Sequence, residues 1–189
     1  NEYMQTTNID IQIIKNDVNT YVDTSTLQNV IYIENALDLH IISQITLSGQ
    51  YNSVYNVVSH FIALDAHRIC VDNDILLIAL YEEIAIVDLK KDKIDRVIKF
   101  NNCWGIRNFC KFKSGYFVHG EGVNYFLNKN FDVLWNVSSI DIFVNMRVKN
   151  DFEIQEDYIA VYDWYGNKHY YNENGEFDCT YYPQLNCDK

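Results

Sequence analysis

Two histidines of this 189-residue chain have a possible acid, base or metal ligand nearby. Asp163 and His169 flank a predicted turn and could form an acid–base pair, because such catalysis needs the two groups within hydrogen-bond reach. The alternative, which we favour, is a solvated turn aspartate beside a histidine on a strand surface. His67 and Cys70 form a single pair, whereas a zinc ion takes three or four protein ligands. The spacing of these residues therefore predicts no metal site.

The sequence contains none of the common enzyme motifs. It has no glycine-rich phosphate loop, no His-Glu-x-x-His and no Gly-x-Ser-x-Gly. Asn172-Glu-Asn-Gly175 has some features of a calcium loop, but Asn-Gly after a strand is a hairpin signal, and we favour the hairpin. Cys103 and Cys110 are too far apart for a zinc knuckle. We predict no catalytic residue, no metal and no cofactor.

A pattern of strands and turns recurs about every 40 residues, which is the spacing of β-propeller blades. A further strand is expected before each repeat, at 68–72, 107–112 and 143–148, which makes each repeat a four-stranded meander. Gly120, Gly122, Gly166 and Gly175 fall in predicted turns, where a positive φ is needed. The remaining predicted strands lie at 75–80, 84–89 and 96–100, at 116–119, 123–127 and 133–137, and at 158–162, 169–171 and 179–182.

This organisation resembles β-propellers of the WD-repeat kind over residues 68–182. The Gly-His and Trp-Asp dipeptides of that group are absent, and Trp135-Asn136 comes nearest to them. Propellers close with roughly four to eight blades, and 189 residues can supply no more than about four. We therefore expect an all-β fold, an open half β-propeller of about three four-stranded antiparallel blades at 67–100, 101–139 and 140–189. A single proline and no Gly/Ser-rich run indicate one domain over residues 1–189.

Residues 1–66 are predicted to form an N-terminal cap of strands and a helix, because an open array leaves apolar blade faces uncovered. Strands are expected around Ile9 to Ile13, at 30–34 and at 37–42. Polar and apolar residues of 51–63 recur at helical spacing, which predicts an amphipathic helix; the alternative is another strand. We expect the cap to cover the first blade at Ile75, Leu77, Ala79 and Ile84.

The composition limits the partners and the cellular setting. Fifteen Lys and Arg against 26 Asp and Glu give a net charge of -11, which disfavours direct binding to nucleic acid. No apolar run is long enough for a membrane span, and no signal peptide is evident. The five cysteines are odd in number and sparse, which suits reduced thiols in the cytoplasm.

The predicted partner-binding surface consists of loops on one side of the blades. In a propeller meander, the loops between second and third strands lie on the same side as the loops between blades. Aromatic anchors surrounded by negative charge suit a basic protein partner; the alternative is solvated acidic loops with aromatics in strands. The residues predicted to bind a partner are Tyr81, Glu82, Glu83, Trp104, Glu121, Glu156, Asp157, Asp163, Trp164 and Tyr165.

In overall character, the sequence is similar to immunity proteins of contact-dependent growth inhibition and related polymorphic toxin systems. It is acidic, lacks enzyme motifs, and is rich in Asn, Ile, Lys, Asp and Tyr but poor in Pro and Gly. The resemblance implies a protein that neutralises a toxin domain, often a basic nuclease, by occluding its active or substrate-binding site. The alternative is a propeller-like scaffold or adaptor without inhibitory activity. A hydrolase or lyase built in the groove of the half-propeller is a third hypothesis.

Overall fold

The structure, a computed structural model, describes residues 6–17, 23–33, 41–60 and 62–189. These residues form an all-β structure of four four-stranded sheets with two short 3-10 helices, Ala66–Arg68 and Pro183–Leu185. The predicted all-β, four-stranded architecture is confirmed. The chain divides into two compact units, Asn1–Lys99 and Phe100–Lys189. The single domain over 1–189 stays a prediction.

The N-terminal segment of the first unit is itself a four-stranded sheet. Its strands are β1 (Asn8–Asn16), β2 (Val30–Tyr32), β3 (Ile41–Ser48) and β4 (Ser53–Ser59). They lie in the order β1-β3-β4-β2, with β2 parallel to β4 and the other pairs antiparallel. The predicted strand at 37–42 lies partly outside the described residues, as does the end of the one at 30–34.

The helix predicted over 51–63 is wrong, because β4 occupies this segment. Two of the polar residues that seemed to form the solvent face of a helix, Asn56 and Ser59, are buried. Asn56 donates to the carbonyl of Gln28 over 2.7 Å and accepts from Gln44 over 3.1 Å. Ser59 donates to the carbonyl of Ile62 over 2.7 Å. Satisfied hydrogen bonds allow these polar groups to be buried on a strand covered on both faces.

The second sheet of the first unit is a meander that packs on the N-terminal sheet through one apolar core. Its strands are β5 (Ile69–Asp72), β6 (Ile75–Leu80), β7 (Glu83–Asp88) and β8 (Lys93–Lys99). The residues of β6 in this core are Leu76, Ile78 and Leu80, instead of the predicted Ile75, Leu77 and Ala79. Side chains alternate along a strand, so an error of one residue selects the opposite face.

The second unit holds two meanders with an aromatic core. The ring centroid of Trp135 lies 5.6–6.1 Å from those of Phe117, Phe126 and Tyr171, and the Phe117 and Tyr171 centroids are 5.6 Å apart. These separations are typical of favourable ring contacts. The strands of the first meander are β9 (Ile106–Phe112), β10 (Gly115–Gly120), β11 (Val123–Leu127) and β12 (Val133–Ser138), and those of the second are β13 (Phe152–Ile154), β14 (Ile159–Tyr162), β15 (Asn167–Asn172) and β16 (Gly175–Tyr181).

The strand predicted at 143–148 is wrong, because this segment is a loop and the first strand of the last sheet is β13. Asn145 is buried and explains the difference. Its side-chain amide donates to the carbonyls of Asp163 and Leu185 over 2.8 and 2.9 Å, and its oxygen accepts from the backbone of Arg147 over 2.9 Å. Such side-chain bonds to the backbone compete with a strand ladder.

Two further sequence features have definite outcomes. The Asn172–Gly175 segment forms the predicted hairpin, since β15 and β16 are joined by Glu173 and Asn174 and Gly175 has a φ of +121°. The five cysteines all lie in the described residues and are free thiols. Within the part of the chain that the structure describes, no helix is long and apolar enough to cross a membrane.

Candidate functional site

Five loops at one end of the second unit are joined by backbone hydrogen bonds of 2.7–3.2 Å. The segment 120–122 bonds to 103–105 on one side and to 139–143 on the other. Trp164 bonds to the carbonyl of Ile142, and Cys187 bonds to the carbonyl of Trp164, both over 3.0 Å. We call this set the loop surface; it consists of residues 102–105, 120–122, 139–146, 163–166 and 182–188.

Two glycines permit the close approach of these loops. A Cβ at Gly120 would lie 2.3 Å from Sγ of Cys103, and one at Gly122 would lie 2.8 Å from the carbonyl oxygen of Asn102 and 2.9 Å from the ring of Trp104. The two glycines lack the positive φ predicted for them, which Gly166 and Gly175 do have. At Gly120 and Gly122 the missing side chain therefore makes room for a neighbouring backbone.

The loop surface exposes large apolar side chains. Trp104 is 58% exposed and has a φ of +59°, an unusual backbone conformation for a bulky residue. Ile140 is 93% exposed and Met146 77% exposed. Sequence analysis predicted Trp104 as a binding residue but missed Ile140 and Met146. The sequence alone does not show whether a single apolar residue is buried or exposed. Large apolar side chains exposed on one set of loops are candidates for an interaction site.

The acidic residues of the loop surface are less available than predicted. Glu121 lies 3.6 Å from a guanidinium nitrogen of Arg107, and Asp151, which is buried, lies 3.2 Å from another. Asp151 also accepts from the backbone of Asn145 over 3.1 Å. One arginine thus partly neutralises two carboxylates behind the loops.

Asp163 organises the β14–β15 turn and is buried, so the predicted solvated aspartate is wrong. Its Oδ1 accepts from the backbone of Tyr165 and Asn167 over 3.0 and 2.9 Å, and its Oδ2 accepts from the side chains of Asn167 and His169, each over 2.9 Å. Burial alone would raise the pKa of Asp163, but the bonds from His169 and Asn167 outweigh it and hold the pKa below its usual value.

His169 and Asp163 are therefore in contact, as the acid–base hypothesis required. Burial disfavours the charged imidazolium, yet the bond to Asp163 and the charge of Glu176 outweigh it and raise the pKa of His169. Each oxygen of Asp163 already accepts two hydrogen bonds, so this carboxylate has a structural role. The other ring nitrogen, Nδ1, lies 3.4 Å from a Glu176 oxygen. His169, Glu176 and Cys179 each offer a ligand atom, and these atoms lie within 4.8 Å of one another.

Trp164 and Tyr165 lie in the same turn but are half-buried instead of facing solvent. Nε1 of Trp164 donates to a carboxylate oxygen of Asp188 over 2.8 Å. Gly166 in this turn has a φ of +86°, and a Cβ there would lie 2.5 Å from the carbonyl oxygen of Tyr182. The C-terminal segment thus covers the turn, which reduces the surface that these aromatics offer to a partner.

Glu156 and Asp157 do not lie on the loop surface. They occupy the β13–β14 turn, and Asp157 is 2.8 Å from Nζ of Lys113 in the β9–β10 turn. These turns are at the opposite end of their sheets from Glu121 and Asp163. Sequence analysis counted these residues with the loops between blades, but they directly precede the second strand of their sheet and therefore belong to a turn within the blade.

Tyr81, Glu82 and Glu83 belong to the first unit, at the turn between β6 and β7. Tyr81 has a φ of +57° and is 37% exposed. The first unit also has an apolar groove that sequence analysis missed. Ile9, Ile11 and Ile13 of β1 line it, together with Leu64, Asp65, Ala66 and Ile69.

No protein-family model matches the sequence, and no curated protein is detectably similar to it. The WD40 β-propeller domain of Doa1 is similar in structure, with a TM-score of 0.53 at 13% identity over 77% of this chain and 51% of that chain. BBS1N, solved in complex with ARL6DN, has a TM-score of 0.51 at 12% identity over 94% of this chain and 53% of that chain. The WD40 domain of Neurospora crassa Pan2 has a TM-score of 0.47 at 12% identity over 62% of this chain and 38% of that chain.

These likenesses show the fold: the four-stranded sheets are blades of the WD40 propeller type. The chain spans about half the length of the Doa1 and BBS1N structures that it matches. The predicted resemblance to WD-repeat propellers is therefore confirmed, and none of the comparisons supports the resemblance to immunity proteins.

Proposed function

We propose that this chain is a non-enzymatic protein–protein interaction module of the β-propeller type, and that its partner docks on the loop surface. The observation that carries the proposal is the exposure of Trp104 and Ile140 on loops that flank the segment 120–122 and bond to it. Exposed aromatic and aliphatic anchors on a rigid support are the residues that dominate binding energy at protein interfaces.

The fold supports the same proposal by analogy. Propeller blades present loops at their ends from a rigid sheet scaffold, and binding residues are often on such loops. One of the similar structures, BBS1N, was solved in complex with another protein. We also propose a cytoplasmic location, which the five free thiols support.

A scaffold or adaptor role fits this surface better than neutralisation of a basic toxin. The toxin hypothesis needs available negative charge beside the aromatics. Asp163 is buried, Glu121 is paired with Arg107, and Glu156 lies at the other end with Asp157. The loop surface exposes Trp104, Ile140 and Met146 beside acidic residues such as Asp141, so we expect a partner with an apolar patch.

The test is a capture experiment that compares the native protein with two double variants. Trp104→Ala with Ile140→Ser removes the proposed anchors, and Val133→Ser with Leu134→Ser is the control, because these residues are 46% and 55% exposed on β12, away from the loops. Quantitative mass spectrometry then identifies proteins that the native chain and the control retain and the loop variant loses.

The partner found in this way is purified, and its affinity is measured with each variant. Loss of one central anchor typically costs about 2–4 kcal/mol, so the Trp104→Ala complex should be weaker by roughly 30- to 1,000-fold. A partner that binds the loop variant as tightly as the native chain, or loses affinity for the β12 control instead, would place the interface elsewhere.

A further inference from the structure

Three side chains with different donor atoms meet on one face of the β15–β16 hairpin. His169 and Cys179 are direct cross-strand neighbours in the antiparallel register. Glu176 is three residues before Cys179, and simple alternation would place it on the opposite face. The register shifts between Tyr170 and Tyr171, leaving one extra residue on β16 between the partners of these tyrosines. This β-bulge turns Glu176 toward the face that carries Cys179.

The two ring nitrogens of His169 have different surroundings. Nε2 is bonded to Oδ2 of Asp163 over 2.9 Å. Nδ1 is buried, and no hydrogen bond from the described residues reaches it; it lies 3.4 Å from Oε2 of Glu176 in a geometry that makes none. Nδ1 thus has Glu176 as an ion-pair neighbour but no well-aligned hydrogen bond, and a ligand at this position would satisfy it fully.

We propose that His169 Nδ1, a Glu176 carboxylate oxygen and Cys179 Sγ bind a zinc ion. Nitrogen, carboxylate oxygen and thiolate sulfur are the donors that zinc uses, with bonds of about 2.0–2.3 Å. In a tetrahedral site with such bonds, donor atoms lie about 3.3–3.8 Å apart. The separation of 3.4 Å between His169 and Glu176 already satisfies this, and the whole group fits within 4.8 Å. Closing the site therefore requires a movement of at most about 1 Å at Cys179, which lies on an edge strand.

Asp163 is the positioning residue of the site. A histidine that binds a metal usually donates its other ring N–H to a carboxylate, which orients the ring and selects the tautomer. Because Nε2 is bonded to Asp163, Nδ1 is the ring nitrogen that remains for a metal, and it is the one that lies 3.4 Å from Glu176. Three protein ligands leave a fourth position for water or for a donor atom of a partner.

An ordinary histidine–glutamate ion pair beside a thiol is the competing interpretation. It would involve Nδ1 in a hydrogen bond to Glu176 and would make Cys179 irrelevant. The two interpretations therefore differ in whether the thiol contributes. The site goes beyond the proposed interaction function, because it lies on the β15–β16 strands and not in the loops that carry Trp104 and Ile140.

The test is titration of the purified, reduced protein with zinc by calorimetry, and with cobalt as a spectroscopic probe. We expect one ion per chain, and for cobalt the visible bands of a tetrahedral complex with a thiolate charge-transfer band. Glu176→Gln and Cys179→Ser should each weaken zinc binding at least about tenfold, and Cys179→Ser should abolish the thiolate band. Asp163→Asn should weaken binding by about 10–100-fold.

The controls are Cys187→Ser, a thiol in the C-terminal segment, and Glu173→Gln, an exposed carboxylate in the same hairpin. Both should bind zinc like the native protein. Glu176 and Cys179 are exposed, so their variants should fold, and circular dichroism checks this. Absence of stoichiometric binding, or binding that Glu176→Gln and Cys179→Ser leave unchanged, would overturn the proposal.

Discussion

Oδ2 of Asp163 accepts a hydrogen bond from Nε2 of His169 over 2.9 Å, which ties the β14–β15 turn to the middle of β15. The sequence suggested either an acid–base pair or a solvated aspartate beside a surface histidine, and neither describes the two residues fully. The two residues are in contact, as an acid–base pair would be, but the aspartate is buried and its oxygens already accept hydrogen bonds from the turn. The main role of the Asp163–His169 pair is therefore to stabilise the fold of the second unit.

Replacing Asp163 with alanine should strongly destabilise the second unit. The change leaves His169 and the backbone of Asn167 without their acceptor, and a broken buried bond to a charged group typically costs about 1.5–3 kcal/mol. We expect a loss of about 3 kcal/mol in the free energy of unfolding, measured by denaturant titration. Asp141→Ala, at an exposed loop position, is the control and should change it by less than about 0.5 kcal/mol. Equal stability of the two variants would contradict the structural role.

Truncation of the two tryptophans of the loop surface should reduce stability to different extents. Trp164 is half-buried and bonded to Asp188, whereas Trp104 is 58% exposed. Trp164→Ala should therefore lower the free energy of unfolding by about 1–3 kcal/mol, and Trp104→Ala by less than about 1 kcal/mol. Thermal unfolding of the two variants measures the difference. If Trp164→Ala were the milder change, the packing of the C-terminal segment on this turn would be wrong.

Gly122→Ala should destabilise the protein through a clash with Trp104 and Asn102. A Cβ at 122 would lie 2.9 Å from the Trp104 ring and 2.8 Å from a backbone oxygen, so the loops must move apart. Overpacking of this kind typically costs about 1–3 kcal/mol. A double-mutant cycle tests the cause: in a Trp104→Ala background, the cost of Gly122→Ala should fall, because one of the two clashes is gone. Additive costs would show that the ring plays no part.

The first unit should lose stability at alkaline pH through Tyr55. Burial, with a hydrogen bond to Asp92, raises the pKa of Tyr55 to about 12, above a value near 10 for an unfolded tyrosine. Because the folded-state pKa is the higher one, the stabilisation is fully present below about pH 10 and is lost as the pH rises toward 12.

Unfolding midpoints measured between pH 9 and 12 check this. Tyr55→Phe keeps the ring and removes the titrating hydroxyl, so its midpoint should fall less steeply with pH than that of the native protein. Tyr181→Phe, at a ring 50% exposed on β16, is the control and should follow the native curve. Parallel curves for all three proteins would exclude a contribution from Tyr55.

The local features of the chain were largely predictable from the sequence. Runs such as 75–80 and 123–127 became β6 and β11, and Asn-Gly at 174–175 became a hairpin, because strand alternation and turn chemistry act between residues close in the chain. Segments whose partners are distant in the chain were mistaken. Asn56 was predicted to face solvent, but its side chain is bonded to Gln28 and Gln44. The segment around Asn145 was predicted to be a strand, but the bonds of the Asn145 side chain hold it as a loop.

The candidate sites depended on the tertiary structure for the same reason. The sequence by itself determined a repeated four-stranded blade and the residue types at its turns. It did not determine which end of a sheet each turn would occupy. Glu156 and Asp157 were therefore grouped with Glu121, although these residues lie at opposite ends of the strands. A single bulge in β16 decided that Glu176 meets His169. Strand register and loop contacts are set by packing between residues far apart in the chain, and no local pattern encodes them.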